Sequence, residues 1–182
     1  MVPMAEDRAS DSERRARFDD LFDAHYAPVR AYVARRSGTA SVVDDVLSET
    51  FLVAWRRIDS VPRDGLPWLL GVARRVLANH RRGEARRCAL VELLAGMLPR
   101  RPAAEPDGEV FGELSDALAS LSAREREALL LVAWEGLDPQ RAARVVGCAP
   151  ATFRARLYRA RRRLVAQLQA MPKEARLTEE AR

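Results

Sequence analysis

Six arginines and no acid stand between Pro150 and Leu168, in PATFRARLYRARRRLVAQL. A helix carries such charge only if one face is wet and another is buried. Phe153, Leu157, Ala160, Leu164 and Leu168 recur at three- and four-residue steps, the stripe that a helix turns toward a core. Arg154, Arg156, Arg159, Arg161, Arg162 and Arg163 then project outward. Their mutual repulsion disfavours an isolated helix, so the surface is suited to meeting a polyanion. Just before it, DPQRAARVVGCA supplies Asp138 as a helix start, an apolar set of Ala142, Ala143 and Val146, and Gly147 where a turn needs steric freedom. Short helix, glycine turn and long basic helix follow the order of a helix-turn-helix with a recognition helix. A merely solvated charged face is the plain alternative; the lack of any compensating carboxylate tells against it.

The rest of the chain reads as helix too. Phe18, Phe22, Tyr26 (or His25), Val29 and Val33 keep helical steps until Ser37-Gly38. Val43, Val46, Leu47, Thr50, Ala54 and Ile58 make a second stripe, from near Ser41 to Val61-Pro62. A third helix is predicted from Pro67, a good first helical residue, through Leu69, Leu70, Ala73, Val76 and Leu77, fading in RRGEARR. From Leu98 to Gly108 three prolines and little to bury mark a linker. Helix resumes with Val110, Leu114, Ala117, Leu118 and Leu121, and Ser122 with Glu125 has the spacing of a capping box that opens another. No segment alternates as a strand does. The expected fold class is therefore all-α, two small helical domains joined by a flexible linker. Its expected parts are a disordered N-terminus over 1–14, a helical domain over 15–95, a linker over 96–109, a helix-turn-helix domain over 110–170 and a polar tail over 171–182.

Charge and composition narrow the partners. The net charge of +5 favours a polyanion, and its distribution says more. Basic residues concentrate at Arg74–Arg87 and Arg154–Arg163, acids at Asp44, Asp45 and Glu49 and again between Glu105 and Asp116. Cys88, Cys148, His25 and His80 have no second ligand at metal spacing, so neither a metal nor another cofactor is expected. With no signal-peptide core and no long apolar run, the expectation is a cytoplasmic protein that does not insert into a membrane.

Two further constellations carry possible chemistry. Asp45 and Glu49 share a helical face with Asp44 beside them. A carboxylate pair can serve catalysis or a metal; it can be a wet acidic face; or it can receive a basic partner, with Phe51 and Trp55 as apolar anchors. The stretch PWLLGVARRVLANHRRGEARR sets an aromatic, an Asn-His pair and repeated arginines along one helix, a means of holding phosphates and unstacked bases. Read alone, Trp68 and Leu69 suit a core equally well.

Taken in order, these segments resemble the extracytoplasmic-function (ECF) group of sigma-70-type RNA polymerase sigma factors, from Phe18 to Leu168. VVDDVLSETFLVAWRRID is similar to the family's polymerase-binding segment, PWLLGVARRVLANHRRGEARR to its promoter-melting, minus-10-reading segment, and LSAREREALLLVAWEGLDPQRAARVVGCAPATFRARLYRARRRL to its minus-35-reading segment. The resemblance implies that Asp45, Glu49, Phe51 and Trp55 belong to the surface gripping core RNA polymerase. It implies that Trp68, Arg74, Arg75, Asn79, Arg82 and Arg86 meet the melted minus-10 strand, and that Thr152, Arg154, Ala155, Arg156, Arg159 and Arg162 meet the minus-35 duplex. An anti-sigma factor is a further partner it implies. Ser48, Arg75 and Asn79 depart from the residues frequent at their places, as do Arg141 and Ala149, the latter standing where Ser or Thr usually caps the recognition helix.

The expectation is a sigma factor, not an enzyme, that binds core polymerase and directs promoter recognition and melting. Its chief rival is a helix-turn-helix regulator that binds promoter DNA without polymerase. A metal-dependent enzyme using Asp45 and Glu49, and a purely structural helical adaptor, rank below.

Overall fold

The computed structural model describes residues 4–37, 39–95 and 117–170, and among these there is no strand. The chain divides into two compact units, Met1–Glu105 and Pro106–Arg182. The predicted linker over 96–109 and the tail over 171–182 lie outside the described residues, as does the expected helical turn at Val110 and Leu114.

In the first unit α1 (Met4–Ala34), α2 (Ala40–Arg56) and α3 (Gly65–Ala95) pack mutually, with a 3₁₀ turn at Ile58–Ser60 between the last two. Val29 and Val33 from α1, Val46 and Ala54 from α2 and Leu69 and Ala73 from α3 are fully buried where the three apolar stripes meet. Tyr32 is buried among them at 1% exposure, although it lay off the stripe read from the sequence. Phe18 and Phe22, expected in that core, are only half-buried and stack at its edge.

Within the expected disordered stretch over 1–14, the described residues from Met4 onward belong to α1. The cause is visible at its tethers. Arg17 Nη2 donates to the Val61 carbonyl at 2.6 Å, and Arg14 pairs with Asp59 at 3.7 Å. Asp11 and Glu13 precede Arg15 and Arg17 by four residues, the order a helix favours. Nucleation has been met by the packed part of α1, so extending it backward adds a hydrogen bond per residue at little cost. The third helix is likewise longer than expected at both ends. It starts at Gly65, where a Cβ would stand 2.5 Å from Leu21 Cδ1, and it runs through RRGEARR, whose Arg, Glu and Ala are good helix formers.

In the second unit, residues 117–119 are helical, followed by α4 (Ala123–Ala133), α5 (Pro139–Val146) and α6 (Pro150–Ala170). The capping box is formed: the Ser122 hydroxyl accepts from the Glu125 N–H, and Glu125 Oε2 accepts from the Ser122 N–H at 3.2 Å and from its O–H at 2.7 Å. Arg126 closes the preceding turn by donating to the carbonyls of Leu118 and Ala119. Leu121, Ala128, Leu131 and Leu137 form the core with Ala142, Ala143, Phe153, Leu157 and Ala160. Within α5, Val145 is buried at 4% exposure while Val146, the residue expected there, is half-buried. The helix is only eight residues long, and adjacent positions on it differ by about 100° of rotation.

Candidate nucleic-acid and partner surfaces

The turn that aims the basic helix is built by capping at both ends. Asp138 Oδ1 accepts from the N–H groups of Gln140 and Arg141 at 2.8 and 3.0 Å, and Pro139 fills the first position of α5. These bonds, that from Arg141 first, hold the Asp138 carboxyl below its ordinary value of 3.8 against the opposing effect of burial. At the other end Gly147 takes φ 72°, and the N–H groups of Gly147 and Cys148 both reach the Ala143 carbonyl. The chain can then turn and start α6 three residues later.

On α6 the buried stripe is Phe153, Leu157 and Ala160, with Leu164 and Leu168 half-buried behind it. Thr152, Arg154, Ala155, Arg159 and Arg162 are exposed, as the sequence led one to expect. Arg156 is half-buried at the shoulder of the stripe. Tyr158, which neither the charge pattern nor the apolar stripe singles out, is 62% exposed on the outward face, with the Arg162 guanidinium 5.8 Å from its ring centroid. Its spacing of four from Arg154 and Arg162 was the available signal. Arg159, Arg162, Arg163 and Ala166 line an open groove of about 270 Å³.

One arginine departs from the expectation that none has a carboxylate. Arg163 Nη1 lies 2.7 Å from Glu125 Oε2, across 38 residues of sequence. Hydrogen bonding from the Ser122 side chain, then from its backbone, and the charge of Arg163 hold the Glu125 carboxyl below its ordinary 4.5 despite burial.

The second basic surface lies on α3. Successive residues turn by about 100°, so Trp68, Arg75, Asn79, Arg82 and Arg86 fall on one face. Trp68 is half-buried at the bundle end of that line, and the other four are exposed. Asn79 Oδ1 accepts from Arg82 Nη2 at 2.5 Å, a bond that uses its oxygen and none of its amide N–H donors. Arg74 is half-buried, has an interaction within the protein and lies about a quarter turn or more from this line. Arg81, absent from the sequence reading, donates to the Arg36 carbonyl at 2.7 Å and so ties α3 to the end of α1.

The acidic surface lies on α2. Asp45 and Glu49 are both exposed, and Leu52 and Trp55 continue their face at 46% and 37% exposure. Phe51 is corrected: at 5% exposure it points into the bundle and cannot itself be a surface anchor. It packs 4.7 Å from the Phe22 ring and 6.1 Å from Tyr26, while Phe18 meets Trp55 edge-on at 5.3 Å. The Phe18 ring thus backs Trp55, and Leu52 is a further exposed apolar residue beside it, one without a signal of its own in the sequence pattern. Among the described residues no group of three or more His, Cys, Asp or Glu could hold a metal ion, so the carboxylate pair has no third ligand there. No described helix is long and apolar enough to cross a membrane.

Comparison with known proteins agrees with this division. Residues 21–87 match the family model for sigma-70 region 2, and residues 111–164 match that for sigma-70 region 4. The chain is 35% identical to the ECF RNA polymerase sigma factor EcfG of Rhodopseudomonas palustris, over 82% of this chain and 83% of that protein. It is 30% identical to the ECF RNA polymerase sigma factor SigL of Mycobacterium tuberculosis, over 83% and 88%. Among solved structures, the sigma factor RpoE of Bartonella quintana, crystallised in complex with the anti-sigma factor NepR, matches with a TM-score of 0.55 at 25% identity over 91% of this chain and 99% of that one. CnrH in complex with the cytosolic domain of CnrY matches with a TM-score of 0.57 at 25% identity, over 85% and 89%.

Proposed function

The chain belongs to the ECF sigma factors of the sigma-70 family, and from that premise we propose how its three surfaces share the work of starting transcription. As a sigma factor it binds core RNA polymerase and directs it to promoters; the polymerase supplies the chemistry, and the site of action is the cytoplasm. The face of Asp45, Glu49, Leu52 and Trp55 docks on a basic, partly apolar surface of the polymerase. Exposed carboxylates guide the encounter, and Leu52 and Trp55, the latter backed by the Phe18 ring, supply the burial that keeps it.

The outward face of α6 enters the major groove of the minus-35 element. Thr152, Arg154 and Ala155, near the helix start, meet base edges, joined by Tyr158 one turn later. Arg159 and Arg162 hold phosphates, and Arg156 reaches the backbone from the shoulder. On α3 the line of Arg75, Asn79, Arg82 and Arg86 tracks the separated minus-10 strand, and Trp68 offers a partial stacking edge. Binding unstacked bases offsets part of the cost of melting. An anti-sigma factor fits the same reading, since covering either α2 or α6 is enough to silence the chain.

The observation that carries this reading is the separation of signs by helix. An acidic and apolar face stands on α2, while exposed arginines stand on α3 and α6. The test is in vitro transcription with purified core polymerase on a promoter library. New start sites preceded by a shared two-part motif are expected only when the chain is added. An Asp45→Lys/Glu49→Lys variant is expected to lose core polymerase in a pull-down while keeping its fold. Retention of wild-type core binding by that variant overturns the docking assignment.

A further inference from the structure

Arg163 sits in the basic groove of α6 beside Arg159 and Arg162, and among the described residues it alone of the three is held by a carboxylate. That carboxylate is itself fixed. Glu125 is 5% exposed, and its Oε2 also accepts both the N–H and the O–H of Ser122. Arg163 is 60% exposed at its side chain, so nothing steric keeps it there. The bond joins the first turn of α4 to the second half of α6. We infer that Glu125 is a positioning residue for promoter reading: it fixes the roll of the recognition helix against α4 and withdraws Arg163 from the phosphate-binding face.

The inference rests on the assignment of α6 to the minus-35 duplex and deepens it. A helix studded with arginines can slide or roll along a polyanion, because phosphate contacts carry no sequence information. A buried counter-ion on the shoulder of the helix removes one of these indiscriminate contacts. It also makes rolling costly, since any rotation must break a charge-assisted bond. Specificity gains what raw affinity gives up.

Salt dependence reads this directly, because each phosphate neutralised adds about 0.9 to the slope of log K against log salt on duplex DNA. The full chain is titrated with a labelled duplex of random sequence at several salt concentrations. Arg163→Ala is expected to leave the slope at its wild-type value, whereas Arg159→Ala lowers it by about 0.9. Glu125→Gln keeps a residue that a capping box accepts, removes the charge and frees Arg163. Its slope is expected to rise by about 0.9, with affinity higher on the order of tenfold near 0.1 M salt by the same relation. Adding Arg163→Ala to Glu125→Gln returns the slope to wild type. A slope lowered by Arg163→Ala alone overturns the inference, as does an unchanged slope in a folded Glu125→Gln chain. Wild-type binding without any salt dependence overturns the DNA-reading assignment as well, and so is told apart from failure of the pairing.

Discussion

Thr50 is fully buried in α2, yet its hydroxyl has no hydrogen-bond partner. A polar atom removed from water without compensation costs about 1–3 kcal/mol. Thr50→Val keeps the branched shape and removes that atom, so stabilisation of about 1 kcal/mol is expected in chemical denaturation. The two placed carboxylates give a second prediction. Asp138 and Glu125 titrate below their ordinary values of 3.8 and 4.5, so each contributes stability that is whole above those values and is lost as pH falls toward the lowered ones. Melting temperature followed from about pH 6 to about pH 3 is expected to fall less steeply in Asp138→Asn, which keeps the cap without the charge. Single residues were legible in the sequence where the signal was local. Asp138, Ser122 with Glu125, and Gly147 all announce themselves by type and spacing within one turn. Arg163 with Glu125 was not legible, because no periodicity links residues 38 apart that meet only when α4 packs on α6. Phe51 departs from its expected place for a related reason: residue type suggested an anchor on the surface, while helix phase turned it inward.

At the scale of elements, apolar stripes located the described helices that pack in the two cores, and they erred where helix persists without a packed face. From Asn79 to Arg87 the exposed residues of α3 wrap most of its circumference, so hydrophobic periodicity had nothing to report over that stretch. The opposite end of the same unit behaves alike, since the start of α1 is held by Arg14 and Arg17 and not by an apolar stripe. Such projecting helix depends on intrinsic propensity. Gly83 lies in this stretch of α3, and a Cβ added to it would meet nothing within 4 Å. Gly83→Ala is therefore expected to strengthen the helix by about 1 kcal/mol. Slower amide exchange across residues 79–87 is the measurement, and an unchanged rate there contradicts it. A firmer α3 also presents Arg82 and Arg86 with less disorder to freeze on binding, so single-stranded DNA is expected to bind no more weakly to this variant.

For the whole molecule, what matters is that two self-sufficient cores carry surfaces of different use. The first closes around Val29, Val46 and Leu69, the second around Leu131, Ala143 and Phe153, and each completes its burial from its own helices. Residues 1–95 and 110–170 expressed separately are thus expected to fold, each with the circular dichroism spectrum of a helical protein. Their joint function is a different matter. A covalent connection turns the second binding event into an intramolecular one at an effective concentration near the millimolar range. Two fragments mixed at micromolar concentration lose that advantage even if each retains its own surface. Promoter-directed start sites from core polymerase with the mixture are expected to fall by about 100-fold or more relative to the intact chain. Equal activity of the mixture implies that polymerase alone holds both units in place, and the connecting segment then contributes nothing to promoter choice.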